Sequence, residues 1–244
     1  MKKNFQELTP AEKAAFVLDL FHRTTIHHAF WFAEVVHQYG REKAYEILQT
    51  AYRQSYGIQL KRLTNLFGGE VDETKTPLML MQMSEQKQAE LIEALSINWL
   101  ANDGVWFQAI EQSKGMTEAK RCNDSSWANF SPFEANAIKQ FLGMPDNPGL
   151  EGLKVALQFR LYAFINKQSI SNETESSFEF YMNECRVQVA RKRKGLEDYP
   201  CKSGGMIEYT SFAEAIDSRI KTECISCPPD AHPETYYCGW KFYI

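Results

Sequence analysis

Five of the chain's six cysteines, Cys185, Cys201, Cys224, Cys227 and Cys238, fall within its last 60 residues. Thiols this dense are chemistry in waiting: metal ligands, a redox pair, or a nucleophile with partners. Cys224-Ile-Ser-Cys227 puts two thiols on one short segment, where they can grip a single soft metal, and Cys201 and Cys238 complete a set of four. That set points to zinc or an iron–sulfur cluster, although only one Cys-x2-Cys pair is present where zinc ribbons show two and cluster proteins show a denser run. A thioredoxin-like dithiol of Cys224 and Cys227 is disfavoured by Pro228-Pro229, which deny the pair a helix start. Small buried core residues are the plain alternative. The opening MKKNFQELTPAEK has no apolar stretch for a signal sequence or membrane span, so a reducing cytoplasm is expected and structural disulfides are not.

Cys185 is the candidate nucleophile. It follows Asn183 in the first turn of a predicted helix and adjoins Arg186, so dipole and cation would both favour its thiolate. Arg186 or Arg191 could hold a substrate carboxylate through paired N–H groups. The run Arg186, Arg191, Lys192, Arg193, Lys194 otherwise reads as a solvated helix face. Lys202-Ser203-Gly204-Gly205 could offer backbone N–H groups to an anion, but reads more simply as a turn. Glu34/His37 and Asp19/His22 have the spacing of one half of a di-iron site and lack the other half.

The elements that must position these groups begin with a duplication. Residues 9–68 align without gaps on residues 84–143 at an offset of 75, pairing Trp31-Phe32 with Trp106-Phe107, Gly40 with Gly115, Ala44 with Ala119 and Tyr52 with Trp127. His28 thereby meets Asp103, and on helices both would turn toward the core side, where they could handle protons together. Each copy reads as several helices. Thr9-Pro10-Ala11-Glu12 starts a helix of about 12 residues, Gly40 and Gly115 end the helices carrying the tryptophans, another runs from about residue 41 to 54, and Gly57 or Pro132 punctuates the approach to a last one ending near Phe67-Gly68. After the Pro/Asn/Gly-rich linker 144–149 a helix is expected over 151–166. Then alternation at Phe178 and Phe180 and the closing YYCGWKFYI predict strands, with helices near 184–195 and 212–216 between them. The expected fold class is α+β: a mainly helical domain over 1–170, built from the duplicated unit, and a small cysteine-containing α+β domain over 171–244.

A formal charge of −4 and a pI near 5.8 give no pull toward nucleic acid or anionic lipid. A small-molecule ligand is compatible with the composition, and the oligomeric state is left open.

The segments NDGVWF (102–107), CRVQVARKRKGLEDYPC (185–201) and CISCPP with YYCGWKF resemble an uncharacterised family of prokaryotic cytosolic proteins, along nearly the whole chain. The resemblance implies that Trp106, Cys185, Arg186, Gln188, Arg191, Cys201, Cys224, Cys227 and Cys238 belong to its defining motifs. The chain is also distantly similar to L-2-amino-thiazoline-4-carboxylate hydrolase-like proteins. That likeness suggests hydrolysis of a small C–N or C–S compound, with Cys185 or a metal-activated water attacking. A binding module with a structural metal, or a cysteine redox sensor, is the alternative expectation.

Overall fold

The computed structural model describes Phe5, residues 8–66, 78–195 and 197–244. They form two compact units, residues 1–82 and 83–244. None of the described helices is long and apolar enough to cross a membrane.

The first unit is a helical hairpin. α1 (Pro10–Tyr39) and α2 (Arg41–Leu66) are joined at Gly40, whose φ of +79° suits glycine, and a short α3 (Leu78–Met81) follows. Ala44 is fully buried between the helices, and Phe32 packs on Tyr45 with ring centroids 5.8 Å apart. The expected helix end at Phe67-Gly68 lies outside the described residues, as do the side chains of Glu12 and His22.

The second unit repeats the hairpin and then covers it. α4 (Glu85–Lys114), capped by Ser84 Oγ accepting from Lys87 N–H, turns at Gly115 (φ +89°) into α5 (Met116–Leu142). The bounds of α4 fall 75 residues after those of α1, and α5 starts 75 after α2, as the duplication requires. Each copy is two long helices rather than several short ones: Gly57 lies inside α2 and Pro132 inside α5. A single helical glycine costs only about 1 kcal/mol, and α5 is held through Pro132 by packing along α8 (Lys202–Ile216).

Beyond α5 come α6 (Gly149–Leu157) and a 3-10 turn (Leu161–Phe164), where one helix over 151–166 was expected. An antiparallel sheet follows in the order β1-β2-β4-β3: β1 (Lys167–Ser171), β2 (Ser177–Glu184), β3 (Lys221–Ser226) and β4 (Cys238–Tyr243). α7 (Arg186–Arg193) and α8 connect β2 to β3. Alternation puts Phe178, Phe180, Trp240 and Phe242 on one face, against Phe212 and Ile216 of α8 and Leu153 of α6, all buried. The α+β class holds. The compact units, however, divide at Gln82/Met83 rather than near residue 170, because α5 buries Ala135 and Ile138 in the same core as the sheet.

Candidate functional site

The cysteines gather where β2 and β3 finish and β4 starts. Cys185 precedes α7 as its N-cap residue and Cys201 precedes α8 in the same way. Cys224 is on the inward side of β3, Cys227 follows that strand, and Cys238 opens β4 opposite Met182. Cys227 is buried, and the other four are partly buried against the same core. Lys202 N–H donates to Pro228 O (2.8 Å) and Lys202 Nζ pairs with Asp230 Oδ2 (2.7 Å), so the start of α8 is tied to the loop after Cys227. Gly204-Gly205 is not an anion-binding turn but the first turn of α8. A Cβ on Gly205 would stand 2.8 Å from Trp240 Cζ2, so glycine is what lets the helix approach β4.

The thiols influence one another. The Cys238 side chain is the largest influence pushing Cys227 above the usual thiol range; burial adds to it, then the neighbouring charges of Cys238, Cys201 and Cys224. Burial also raises Cys201, helped by Cys185 and Cys238 and opposed by Lys120. Cys224 is raised by burial against the opposing Lys202. These three groups therefore stay protonated at neutral pH unless a cation replaces the protons. Gln188, 1 % exposed, donates its amide N–H to Cys201 Sγ (3.2 Å) and to Tyr199 O (2.9 Å) and accepts from Tyr199 N–H (2.8 Å), fixing the segment before α8. Among the described residues no three His, Cys, Asp or Glu side chains are close enough together to hold a metal as they stand.

Cys185 departs from the thiolate expected of it. Burial, the largest effect, outweighs the local backbone N–H groups and pushes its pKa up to about 11. Arg186 is exposed and its backbone N–H donates to Asn166 Oδ1 (2.8 Å). Arg191 donates Nε–H to Glu197 O (2.7 Å) and lies over the Tyr199 ring, so it braces the loop rather than presenting a free fork. His28 is exposed in the first unit rather than turned to the core side, Glu34 and His37 are exposed as well, and Trp31 and Trp106 are 61 % and 64 % exposed. Asp103, in the second unit, is half-buried, and burial raises its carboxyl pKa. Its charge is felt at Tyr162, Tyr199 and Glu208, which places it beside the polar interior of that unit.

That interior holds a group the sequence analysis missed. Arg160, 2 % exposed, donates Nε–H to Glu134 Oε2 (2.9 Å), while its Nη1 is 2.8 Å from Glu208 Oε1. Glu134 also accepts from Leu161 N–H (3.0 Å). The guanidinium faces the Phe212 ring at 4.5 Å. Two buried carboxylates share one cation. Burial pushes Glu208 up to about 7 in spite of Arg160. The one signal in the sequence was the duplication: the position that holds Gln59 in the first copy holds Glu134 in the second.

Residues 81–244 match the family of unknown function DUF6125, and the chain belongs to that family. The matched span coincides with the second compact unit, thiols and buried ion triad included. No curated protein matches the chain.

Proposed function

We propose that the second unit is a metal-binding module in which Cys201, Cys224, Cys227 and Cys238 hold zinc or an iron–sulfur cluster as thiolates. The supporting observation is the setting of Cys227: buried just past β3, its thiol lies within electrostatic reach of Cys238, Cys201 and Cys224, which hold it protonated. Clustered thiols that suppress each other's ionisation are stabilised as thiolates by a cation. The Gln188 N–H directed at Cys201 Sγ supports it, since metal-bound thiolates are oriented by such donors. Binding calls for side-chain rotation toward the Cys227–Cys238 pair and releases protons. A bound zinc with four thiolates is a structural clip, and with an open position it supplies Lewis acidity. In the catalytic form of this reading, hydrolysis of a small C–N or C–S compound, Asp103 is the proton carrier and the partly buried, protonated Cys185 is not the attacking group.

Reconstitution with zinc, and separately with iron and sulfide, tests the proposal. Wild type and Cys122→Ser should bind stoichiometrically, whereas Ser at 201, 224, 227 or 238 should lower affinity sharply. Full binding by all four variants would refute the ligand set. A second reading, a redox dithiol of Cys227 and Cys238, is favoured by the strong influence of Cys238 on the Cys227 thiol. It requires that mild peroxide, itself reduced to water, remove two hydrogens from the wild type and none from Cys238→Ser.

A further inference from the structure

We infer that His232 and Asp198 form a proton-operated latch at the thiol end of the second unit: the protonated imidazole ties the loop 228–237 to the segment 197–201, and the neutral ring releases it. The loop joins Cys227 to Cys238, and the segment leads into Cys201, so release opens the thiols to solutes. His232 Nε2 lies 2.9 Å from Asp198 Oδ2, and its Nδ1 lies 2.9 Å from Pro233 O.

Both of these neighbours are acceptors. A carboxylate oxygen and a carbonyl oxygen each need an N–H, and a neutral imidazole has one. Either tautomer leaves a ring lone pair facing an oxygen, so the imidazolium alone satisfies both contacts. The same contacts remove the ring as a general base, because neither nitrogen is left for a substrate. The His232 side chain is 17 % exposed and that of Asp198 37 %, so the pair is less screened than one fully in water. Burial by itself would lower the ring pKa. The hydrogen bonds to Asp198 and Pro233 O, with the Asp198 charge, outweigh it and raise the ring above its ordinary 6.5.

The other groups around the latch do not switch near neutrality. From the approach to β4 the ring faces Tyr237, centroids 5.4 Å apart, whose phenol is raised by burial and then by the charges of Asp198, Cys185 and Glu184. Lys202 and Asp230 each hold the other charged through their hydrogen bond, the lysine raised and the aspartate lowered. Asp230 N–H to Cys227 O (2.9 Å), Tyr237 N–H to Met182 O (2.8 Å) and Asn183 Nδ2 to Thr235 O (3.2 Å) carry no titrating group. His232 sits between those anchors, where one lost contact frees the middle of the loop. Since its folded pKa is the higher one, the latch is complete below 6.5 and is lost as pH rises through the raised value.

Nuclear magnetic resonance of the full chain under reductant provides the test, with His232→Gln identifying one ring signal among five histidines. The wild-type ring should titrate above 6.5 and move back toward it in Asp198→Asn. Amides of residues 230–237 should exchange roughly 3-fold faster in Asp198→Asn than in wild type at pH 6, and equally fast at pH 9. Taking the ratio at each pH cancels the intrinsic rise of exchange with alkali. Alkylation of Cys201 and Cys238 by N-ethylmaleimide, with chelator present so that the result stands apart from any bound metal, should follow the same ratio. If Asp198→Asn does not fold, His232→Gln serves for the same comparisons of exchange and alkylation. A ring that titrates at or below 6.5, or an exchange ratio constant with pH, would overturn the latch. Alkylation indifferent to both variants would overturn its control of the thiols.

Discussion

Replacing Glu208 by Gln should change the pH dependence of stability in a calculable way. Glu208 sits inside the second unit beside Arg160, and burial raises its carboxyl from 4.5 to about 7. The folded state thus holds this proton more tightly than the unfolded chain does. The stability it contributes is complete below pH 4.5 and is lost as pH rises through about 7. At about 1.4 kcal/mol per pH unit, that interval corresponds to roughly 3 kcal/mol. The amide of the Glu208→Gln variant would imitate the protonated acid, keep an acceptor for Arg160 and have nothing to ionise. Urea unfolding of both proteins between pH 4 and pH 8, followed by the near-ultraviolet signal of the Trp99–Trp127–Tyr162 cluster, should give similar stabilities at the acid end. The variant should then gain a margin of roughly 3 kcal/mol by pH 8. Comparing the two curves cancels every other carboxylate. Parallel profiles, or a variant less stable at pH 8, would refute the account of a carboxylate ionised at a cost.

The converse change, Arg160→Met, strands Glu134 and Glu208 without their cation and should destabilise the second unit by about 3–5 kcal/mol, most of it recovered when both glutamates become Gln; denaturant midpoints check this, and a loss under about 1 kcal/mol would contradict it. Gly205→Ala drives a methyl against the buried Trp240 ring and should cost roughly 1–3 kcal/mol, unlike the usual gain from replacing a helical glycine; an unchanged or higher melting temperature would show that α8 can retreat. Gln188→Ala removes three hydrogen bonds around Tyr199 and Cys201, so metal affinity in a chelator competition should fall about 10-fold or more; unaltered affinity would detach Gln188 from the site.

Much of this architecture was legible because its signals are local. The 75-residue offset, Gly40 and Gly115 located the hairpins, and alternation at Phe178 and Phe180 located β2. Length was misjudged where packing overrode punctuation. Gly57 and Pro132 look like breaks, yet α2 and α5 run through them, and α8 starts ten residues before its expected position because Lys202–Gly205 reads as a turn until Trp240 is seen beside it. β1 was missed because Lys-Gln-Ser-Ile-Ser is a polar edge strand with one apolar residue, and β3 because its cysteine was read only as a ligand. At the site, the placing of Cys201, Cys224, Cys227 and Cys238 around one end of the sheet follows from their positions in the sequence, but the state of Cys185 does not. A helix start and an adjacent arginine are visible in sequence; the burial that outweighs them is not. The ion triad was hidden for a related reason: Glu134, Arg160 and Glu208 meet only after α5, the 3-10 turn and α8 have packed.

The metal itself is the central claim. Protein purified without oxygen should carry close to one equivalent of colourless zinc, or iron with equimolar sulfide and a brown chromophore, and should lose it in the Cys227→Ser variant. Wild-type protein that holds neither, before and after reconstitution, would contradict the account and leave Cys227 and Cys238 as a dithiol.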